Sequence, residues 1–161
     1  MIRRIKEMLC FTWLKKPQKN WGWNIVAIIV GLIPLPIFLK FNYLLADWTI
    51  WLPWILLALI NPFLEEFYWR GLLMDSTKTW NRALALLFTS VVFSVNHGVF
   101  GINSELFRGY EVIFSTFIMG LVWAITYKKT DSLRWVIASH FLVDFLNLSA
   151  PAFLDLFKSK F

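Results

Sequence analysis

The chain has 161 residues and a mass of 19.0 kDa, about the size of one domain on the usual ~150-residue prior. It is 58% hydrophobic and only 16% charged, with a mean hydropathy of +0.60, which argues against a water-soluble globule and against intrinsic disorder. The net charge of +6 is spread between apolar segments rather than gathered in one patch, so we expect no nucleic-acid partner. These features predict an all-α, multi-pass transmembrane bundle of about five spans that forms a single membrane domain over residues 1–161.

The N-terminal segment, residues 1–19, mixes basic and apolar residues. Its charged beginning resembles that of a signal peptide, but the apolar run is short and no A-x-A cleavage site follows. We interpret it as an amphipathic helix on the cytoplasmic side of the cell membrane. Cys10 is the only cysteine in the sequence, so no intramolecular disulfide can form.

Five apolar segments follow in chain order. The first span is expected from about Trp21 to Leu39, with Pro34 and Pro36 able to kink its outer half. The second, from about Trp48 to Met74, would overshoot the bilayer at ~1.5 Å per residue, so we expect a break at Asn61-Pro62. The remaining spans are expected at about Ala83–Phe100, Tyr110–Tyr127 and Leu133–Ala150.

The basic residues outside these spans predict the orientation of the bundle. With the N-terminus in the cytoplasm, eleven Lys and Arg residues fall in cytoplasmic segments and four fall in outer segments. An excess of positive charge is typical of cytoplasmic loops. We therefore predict a multi-pass protein of the cell membrane with a cytoplasmic N-terminus and the lipid bilayer as its surroundings.

Six ionisable side chains fall inside the predicted spans. Each charged residue at a helix centre costs roughly 2.5–3.5 kcal/mol even on the mild insertion scale, so such a set is expected to face the bundle interior and to mark a functional site. The six are Glu65, Glu66, Arg70, His97, His140 and Asp144. The two histidines are the only ones in the protein, and a single buried histidine would more simply be a satisfied core residue.

Two adjacent glutamates lie near the end of the second span. Glu66 and Arg70 are four residues apart, a spacing that predicts a structural ion pair on one helical face. Glu65 lies ~100° around the same helix, so its carboxylate can point elsewhere and is a candidate general base. The plain alternative is a solvated helix end.

Each histidine has a notable neighbour one helical turn away. Phe93 precedes His97 by four residues, so its ring can pack beneath the imidazole. His140, Asp144 and Asn147 fall on one face of the last span and form a polar stripe in an apolar helix. Asn147 is equally explained as a partner for backbone or neighbouring side chains.

In this order, on separate spans, these residues resemble the motifs of the CAAX protease and bacteriocin-processing proteins, also called CPBP or Abi intramembrane proteases. EEFYWR resembles the family's EExxxR, FSVNH its FxxxH, and HFLVD its HxxxN/D. Together the three motifs cover residues 60–147, which correspond to the protease core of the family.

The resemblance implies an intramembrane endopeptidase with a cytoplasm-facing cavity. Family precedent implies that Glu65 and His97 activate a water molecule, while His140 and the residue at Asp144 stabilise the oxyanion. An ionised carboxylate only accepts hydrogen bonds, so Asp144 must be protonated to donate, or else it orients His140. We favour the donor role.

Three alternatives stay open at this point. Two histidines and a glutamate could hold Zn²⁺ or another divalent metal in a metalloprotease, although no HExxH is present and we expect no cofactor. A non-catalytic bacteriocin-immunity or scaffold protein would keep the polar core without cleavage, and a transporter is weaker because no internal symmetry is evident. The expected partner is a peptide or membrane-protein substrate, and the sequence leaves open whether it is prenylated or a bacteriocin precursor.

Overall fold

The computed structural model describes residues 12–17, 20–102, 104 and 108–149. These described residues form helices and turns without any β-strand, which confirms the all-α fold class. Most of the amphipathic helix expected over residues 1–19, and the end of the fifth span at Ala150, lie outside the described residues.

The first span is divided at its prolines. Helix α1 covers Trp21–Leu32, helix α2 covers Leu35–Phe41, and a 3-10 turn at Asn42–Ala46 follows. Pro34 immediately precedes α2 and Pro36 lies in its first turn, where a missing backbone N–H costs the helix nothing. The prolines therefore interrupt this span in its second half, as the sequence predicts.

The second span begins with helix α3, Trp48–Glu66, whose first turn is capped by the Asp47 carboxylate, which accepts from the backbone N–H of Thr49 at 3.0 Å. The break expected at Asn61-Pro62 is wrong, since α3 continues through Pro62 for another turn. A proline in a membrane helix is tolerated where neighbouring structure satisfies the freed backbone groups.

The departure from α geometry comes one turn later than expected. Residues Phe67–Leu73 form a π-helix, and a last α turn at Met74–Ser76 ends the span. π-Helical turns are rare in proteins overall, but those that do occur are frequently found at functional sites. The irregular part of this span therefore begins directly after the two adjacent glutamates.

Three helices complete the bundle. Helix α4 covers Arg82–Val99, with the Asn81 side chain accepting from two N–H groups of its first turn, and a 3-10 turn at Phe100–Ile102 follows. Helix α5 covers Tyr110–Thr130, and helix α6 covers Arg134–Leu146.

Helix α6 is shorter than the fifth span expected at Leu133–Ala150. Its 13 residues rise ~20 Å, less than the ~30 Å of a bilayer core. Four other helical segments of the described chain are long and apolar enough to cross a membrane: Trp21–Ala46, Trp48–Ser76, Arg82–Ile102 and Tyr110–Thr130.

Helix α6 packs against both α1 and α3, while α4 packs along α5 and α1 also contacts α5. The approach of α1 to α6 is close, because the Ser139 hydroxyl donates to the Ala27 carbonyl at 2.5 Å. A Cβ at Gly31 would lie 2.8 Å from the Ser139 carbonyl oxygen, so only glycine permits this contact. The polar face of α6 is therefore enclosed by its neighbours.

Large apolar side chains are exposed on the outer faces of the four long segments. Ile29, Leu64, Leu84 and Phe114 are examples, each more than half exposed. In water such a surface would drive aggregation, whereas in a bilayer it meets lipid tails. The exposed surface and the four long apolar segments indicate a multi-pass membrane protein.

One end of the bundle is tied together around Asp75. The Trp13 indole donates to Asp75 Oδ2 and the Tyr127 hydroxyl donates to Asp75 Oδ1, both at 3.1 Å. The Leu133 backbone N–H donates to the Trp13 carbonyl at 2.8 Å. Trp13 is thus fixed against the last turn of the second span and the α5–α6 connection.

Candidate active site

Glu66 and Arg70 lie in contact at the transition from α3 to the π-helix. Arg70 Nη1 donates to Glu66 Oε1 at 2.8 Å, and both side chains are almost fully buried. Arg70 Nη2 also donates to the Gly120 carbonyl on α5 at 3.2 Å. The contact matches the four-residue spacing of the pair, and it links α3 to α5 through the bundle interior.

The same oxygen of Glu66 also binds a histidine that the sequence places on a different helix. Glu66 Oε1 accepts from His140 Nδ1 at 2.7 Å. The imidazole ring stacks on the Trp123 indole, with ring centroids 4.5 Å apart and planes 23° apart. A carboxylate and an aromatic face therefore determine both the tautomer and the orientation of His140.

Aromatic rings enclose the Arg70 guanidinium. Its central carbon lies 4.3 Å from the Phe93 ring centroid and 5.3 Å from that of Trp123. Cation–π contacts of this kind strengthen when water is excluded. Phe93 and Trp123 therefore hold the buried charge as well as the imidazoles beside it.

His97 is oriented by the helix turn that precedes it. Its Nδ1 donates to the Phe93 carbonyl at 2.9 Å, and the two rings lie 4.3 Å apart. Because Nδ1 carries the proton of a neutral ring, Nε2 is left as an acceptor. That nitrogen faces Glu65 Oε2 at 3.7 Å, which exceeds a direct hydrogen bond, so a water molecule bound by both would lie to one side of the line that joins them.

Asp144 lies beside His140 without a close hydrogen bond to it. Asp144 Oδ2 is 3.8 Å from His140 Nε2, and the same oxygen accepts from Asn61 Nδ2 at 3.0 Å. Asn61 is on α3, so this hydrogen bond joins α3 to α6.

One cavity of about 100 Å³ joins these groups. Its lining includes Asn61 and Glu65 from α3, His97 from α4, and His140 and Asp144 from α6. Glu66 and Arg70 do not line it and lie behind His140. Of the predicted site residues, the structure thus brings Glu65, His97, His140 and Asp144 to one cavity and places the ion pair in the wall.

The side chains around the cavity fit a metal poorly. Among the described residues, no group of three His, Cys, Asp or Glu side chains converges as a ligand set, and catalytic zinc normally has three protein ligands. His140 Nδ1 is directed at Glu66 and His97 Nδ1 at a carbonyl. The donor geometry favours acid–base chemistry over a metal centre.

Three contacts of the site were missed by the reasoning from sequence. Asn61 precedes Glu65 by one helical turn, so its place on the same face was a signal that could have been used. The bond from Glu66 to His140 joins residues 74 positions apart, and no spacing rule reaches that far. Nothing in the sequence distinguishes Trp123 from any other buried aromatic residue.

One comparison with known proteins identifies a family for the chain. A family model described as type II CAAX prenyl endopeptidase Rce1-like matches residues 47–146, more than half of the chain. The match contains the three motif segments and every cavity residue named above. No curated protein and no solved structure gives a significant match.

Proposed function

The chain belongs to the Rce1-like family, and we propose that it is an intramembrane endopeptidase that hydrolyses peptide bonds in peptide or membrane-protein substrates. The observation that carries the proposal is the placement of Glu65 opposite His97 at a small cavity inside an apolar bundle. A carboxylate and an imidazole acceptor at that separation can share one water molecule.

The proposed water lies on the cavity side of Glu65 and His97 and donates one hydrogen bond to each. His97 Nε2 is available as an acceptor because the Nδ1–H group donates to the Phe93 carbonyl. Both acceptors then turn a lone pair of the water oxygen toward the substrate carbonyl carbon. Glu65 takes the proton as the oxygen attacks, and it transfers that proton to the leaving amine nitrogen when the peptide bond breaks.

His140 is proposed to stabilise the oxyanion that forms on the substrate carbonyl. Its Nδ1 proton is directed at Glu66, and its Nε2 is on the side of Asp144 and the cavity. Nε2 donates a hydrogen bond only when the ring carries both protons. The Glu66 carboxylate compensates the resulting positive charge, so Glu66 acts through His140 and does not touch the substrate.

The family description names prenyl endopeptidases, so peptides with a prenylated C-terminal CAAX sequence are the first substrates to test. A bacteriocin precursor is the second. We propose that the protein lies in the cell membrane with its N-terminus in the cytoplasm, on the basis of the charge asymmetry of its loops. We also propose that it works without a cofactor.

The experiment uses the full chain reconstituted in liposomes and mass spectrometry of the products. A farnesylated CAAX peptide, the same peptide without the lipid, and a bacteriocin precursor are each incubated with wild type and with Glu65→Gln. We expect cleavage by wild type, none by Glu65→Gln, and no effect of a chelator. Restoration of a chelator-sensitive activity by Zn²⁺ would establish the metalloprotease alternative, and intact peptides throughout would favour the immunity or scaffold alternative.

A further inference from the structure

The hydrogen bond between Asn61 and Asp144 brings an amide to the cavity from an unexpected helix. Asn61 lies one turn before Glu65 on α3, and its Nδ2 is 3.0 Å from Asp144 Oδ2 on α6. Both side chains line the cavity that also contains Glu65 and His140. The amide is therefore next to both the proposed base and the proposed oxyanion donor.

The chemistry of the pair determines how the amide is turned. An ionised carboxylate only accepts hydrogen bonds, so Asn61 presents its NH₂ group, and not its oxygen, to Asp144. An amide nitrogen carries two N–H donors. One is directed at Asp144, which leaves the second for a ligand in the cavity.

We propose that Asn61 is a catalytic residue whose second N–H donates to the oxyanion, together with His140, and that Asp144 is the positioning residue that holds the amide. This inference rests on the proposed peptidase function. The family motif HxxxN/D allows an amide or an acid at position 144, and this chain has the acid. The neighbouring helix then supplies the amide that an oxyanion site requires.

The hydrogen bonds around the cavity support an ionised, accepting Asp144. Glu66 and Asp144 are both buried carboxylates with a donor in place, since Glu66 accepts from Arg70 and Asp144 accepts from Asn61. In this arrangement Asp144 need not be protonated for the site to contain a second oxyanion donor.

The test relocates the amide from one helix to the other. Asn61→Leu removes the donor with little change of volume, and Asn61→Leu combined with Asp144→Asn returns an amide to the opposite wall of the cavity. Asn96→Leu is the matched control, because Asn96 is a half-buried amide on α4 that does not line the cavity. Cleavage of the peptide set above gives kcat and KM, and thermal melting in detergent reports folding.

We expect Asn61→Leu to lower kcat about 10²- to 10³-fold, as loss of one oxyanion donor does, with KM little changed. The double variant should regain at least about tenfold in kcat over Asn61→Leu, because the amide is restored. Asn96→Leu should cleave like wild type. Asn61→Leu combined with Asp144→Leu is a second control, because it removes the carboxylate that has lost its donor without returning an amide. This variant should stay as slow as Asn61→Leu, so that a rescue by Asp144→Asn requires the amide itself.

Two results would overturn the inference. If folded Asn61→Leu cleaves within about threefold of wild type, Asn61 is not a donor and Asp144 acts as the neutral donor that the sequence suggests. If the double variant is no faster than Asn61→Leu, the amide is not the group that matters. Cleavage by wild type in either case leaves the proposed function intact, whereas no Glu65-dependent cleavage by wild type defeats the function and this inference together.

Discussion

Glu65 and Glu66 are adjacent in sequence but have different surroundings, because helical geometry separates their side chains by ~100°. Glu66 is fully buried and binds Arg70 and His140, whereas Glu65 lines the cavity and faces His97. The partner four residues away could be predicted from the spacing. The partner on α6 could not, because it depends on how α3 and α6 pack.

Replacing Glu65 with Gln tests its role as the general base. The amide has nearly the same shape but cannot take a proton from water, so we expect kcat to fall by at least about 10²-fold. The melting temperature in detergent should stay near that of wild type. Glu111→Gln, an exposed glutamate at the start of α5, is the matched control and should keep full activity. Cleavage by Glu65→Gln at a wild-type rate would exclude this residue as the base.

Replacing Glu66 with Gln tests the buried ion pair. Arg70 is only 1% exposed and would keep its charge after losing its partner, so the free energy of unfolding should fall by ~3–5 kcal/mol. Because His140 loses the same partner, kcat should fall as well. Thermal melting of Glu66→Gln beside Glu111→Gln is the measurement. An unchanged melting temperature would show that the ion pair does not stabilise the fold, and full activity of Glu65→Gln beside an inactive Glu66→Gln would mean that the roles of the two glutamates are exchanged.

The π-helix at Phe67–Leu73 is the element that follows the two glutamates and brings Arg70 into contact with α5. The sequence indicates an irregularity in this long span, because a straight helix of that length overshoots the bilayer. The expected position was at the proline, since Pro62 lacks a backbone N–H. The structure places the irregularity after Glu66 instead. There, tertiary contacts of Trp69, Arg70 and Gly71 decide the geometry of the helix.

Replacing Gly71 with Ala tests how tightly Trp13 packs on the π-helix. A Cβ at Gly71 would lie 2.9 Å from the fused rings of Trp13, and the Trp13 indole is held by Asp75. We expect the free energy of unfolding to fall by ~1–3 kcal/mol, despite the better helix propensity of alanine. Denaturant unfolding in detergent measures the change.

Gly22→Ala is the matched control for that substitution, because a Cβ at Gly22 meets nothing within 4 Å. It should leave stability unchanged or slightly higher. Adding Trp13→Ala to Gly71→Ala removes the clash, so the alanine at position 71 should then cost little. A Gly71→Ala protein as stable as Gly22→Ala would show that Trp13 and the π-helix are not in close contact.

On the scale of the whole molecule, hydropathy predicts the bundle and its four long segments but not the place of α6 among them. Helix α6 is too short to span a bilayer by itself, yet it carries His140 and Asp144 to the cavity. Packing against α1 and α3 encloses its polar face, and close contacts such as Gly31 with Ser139 make that possible. Such contacts between distant segments leave no periodic signal in the sequence.

The orientation of the bundle is a property of the whole molecule that charge alone predicts. Eleven basic residues against four predict that the N-terminus and the loop before α4 lie in the cytoplasm. With Cys10→Ser as background, Lys78→Cys introduces a thiol on the predicted cytoplasmic side, and Asn42→Cys introduces one on the predicted outer side. Both positions are exposed in the structure.

A membrane-impermeant maleimide applied to intact cells should label Asn42→Cys and spare Lys78→Cys, and inverted membrane vesicles should give the opposite pattern. The two cysteines serve as controls for each other, because labelling of either thiol requires only that it reach water on the side of the membrane where the maleimide is applied. If intact cells label Lys78→Cys and spare Asn42→Cys, the bundle is inverted. The end of the molecule tied around Asp75 would then face outward, and substrates would have to approach from the other side of the membrane.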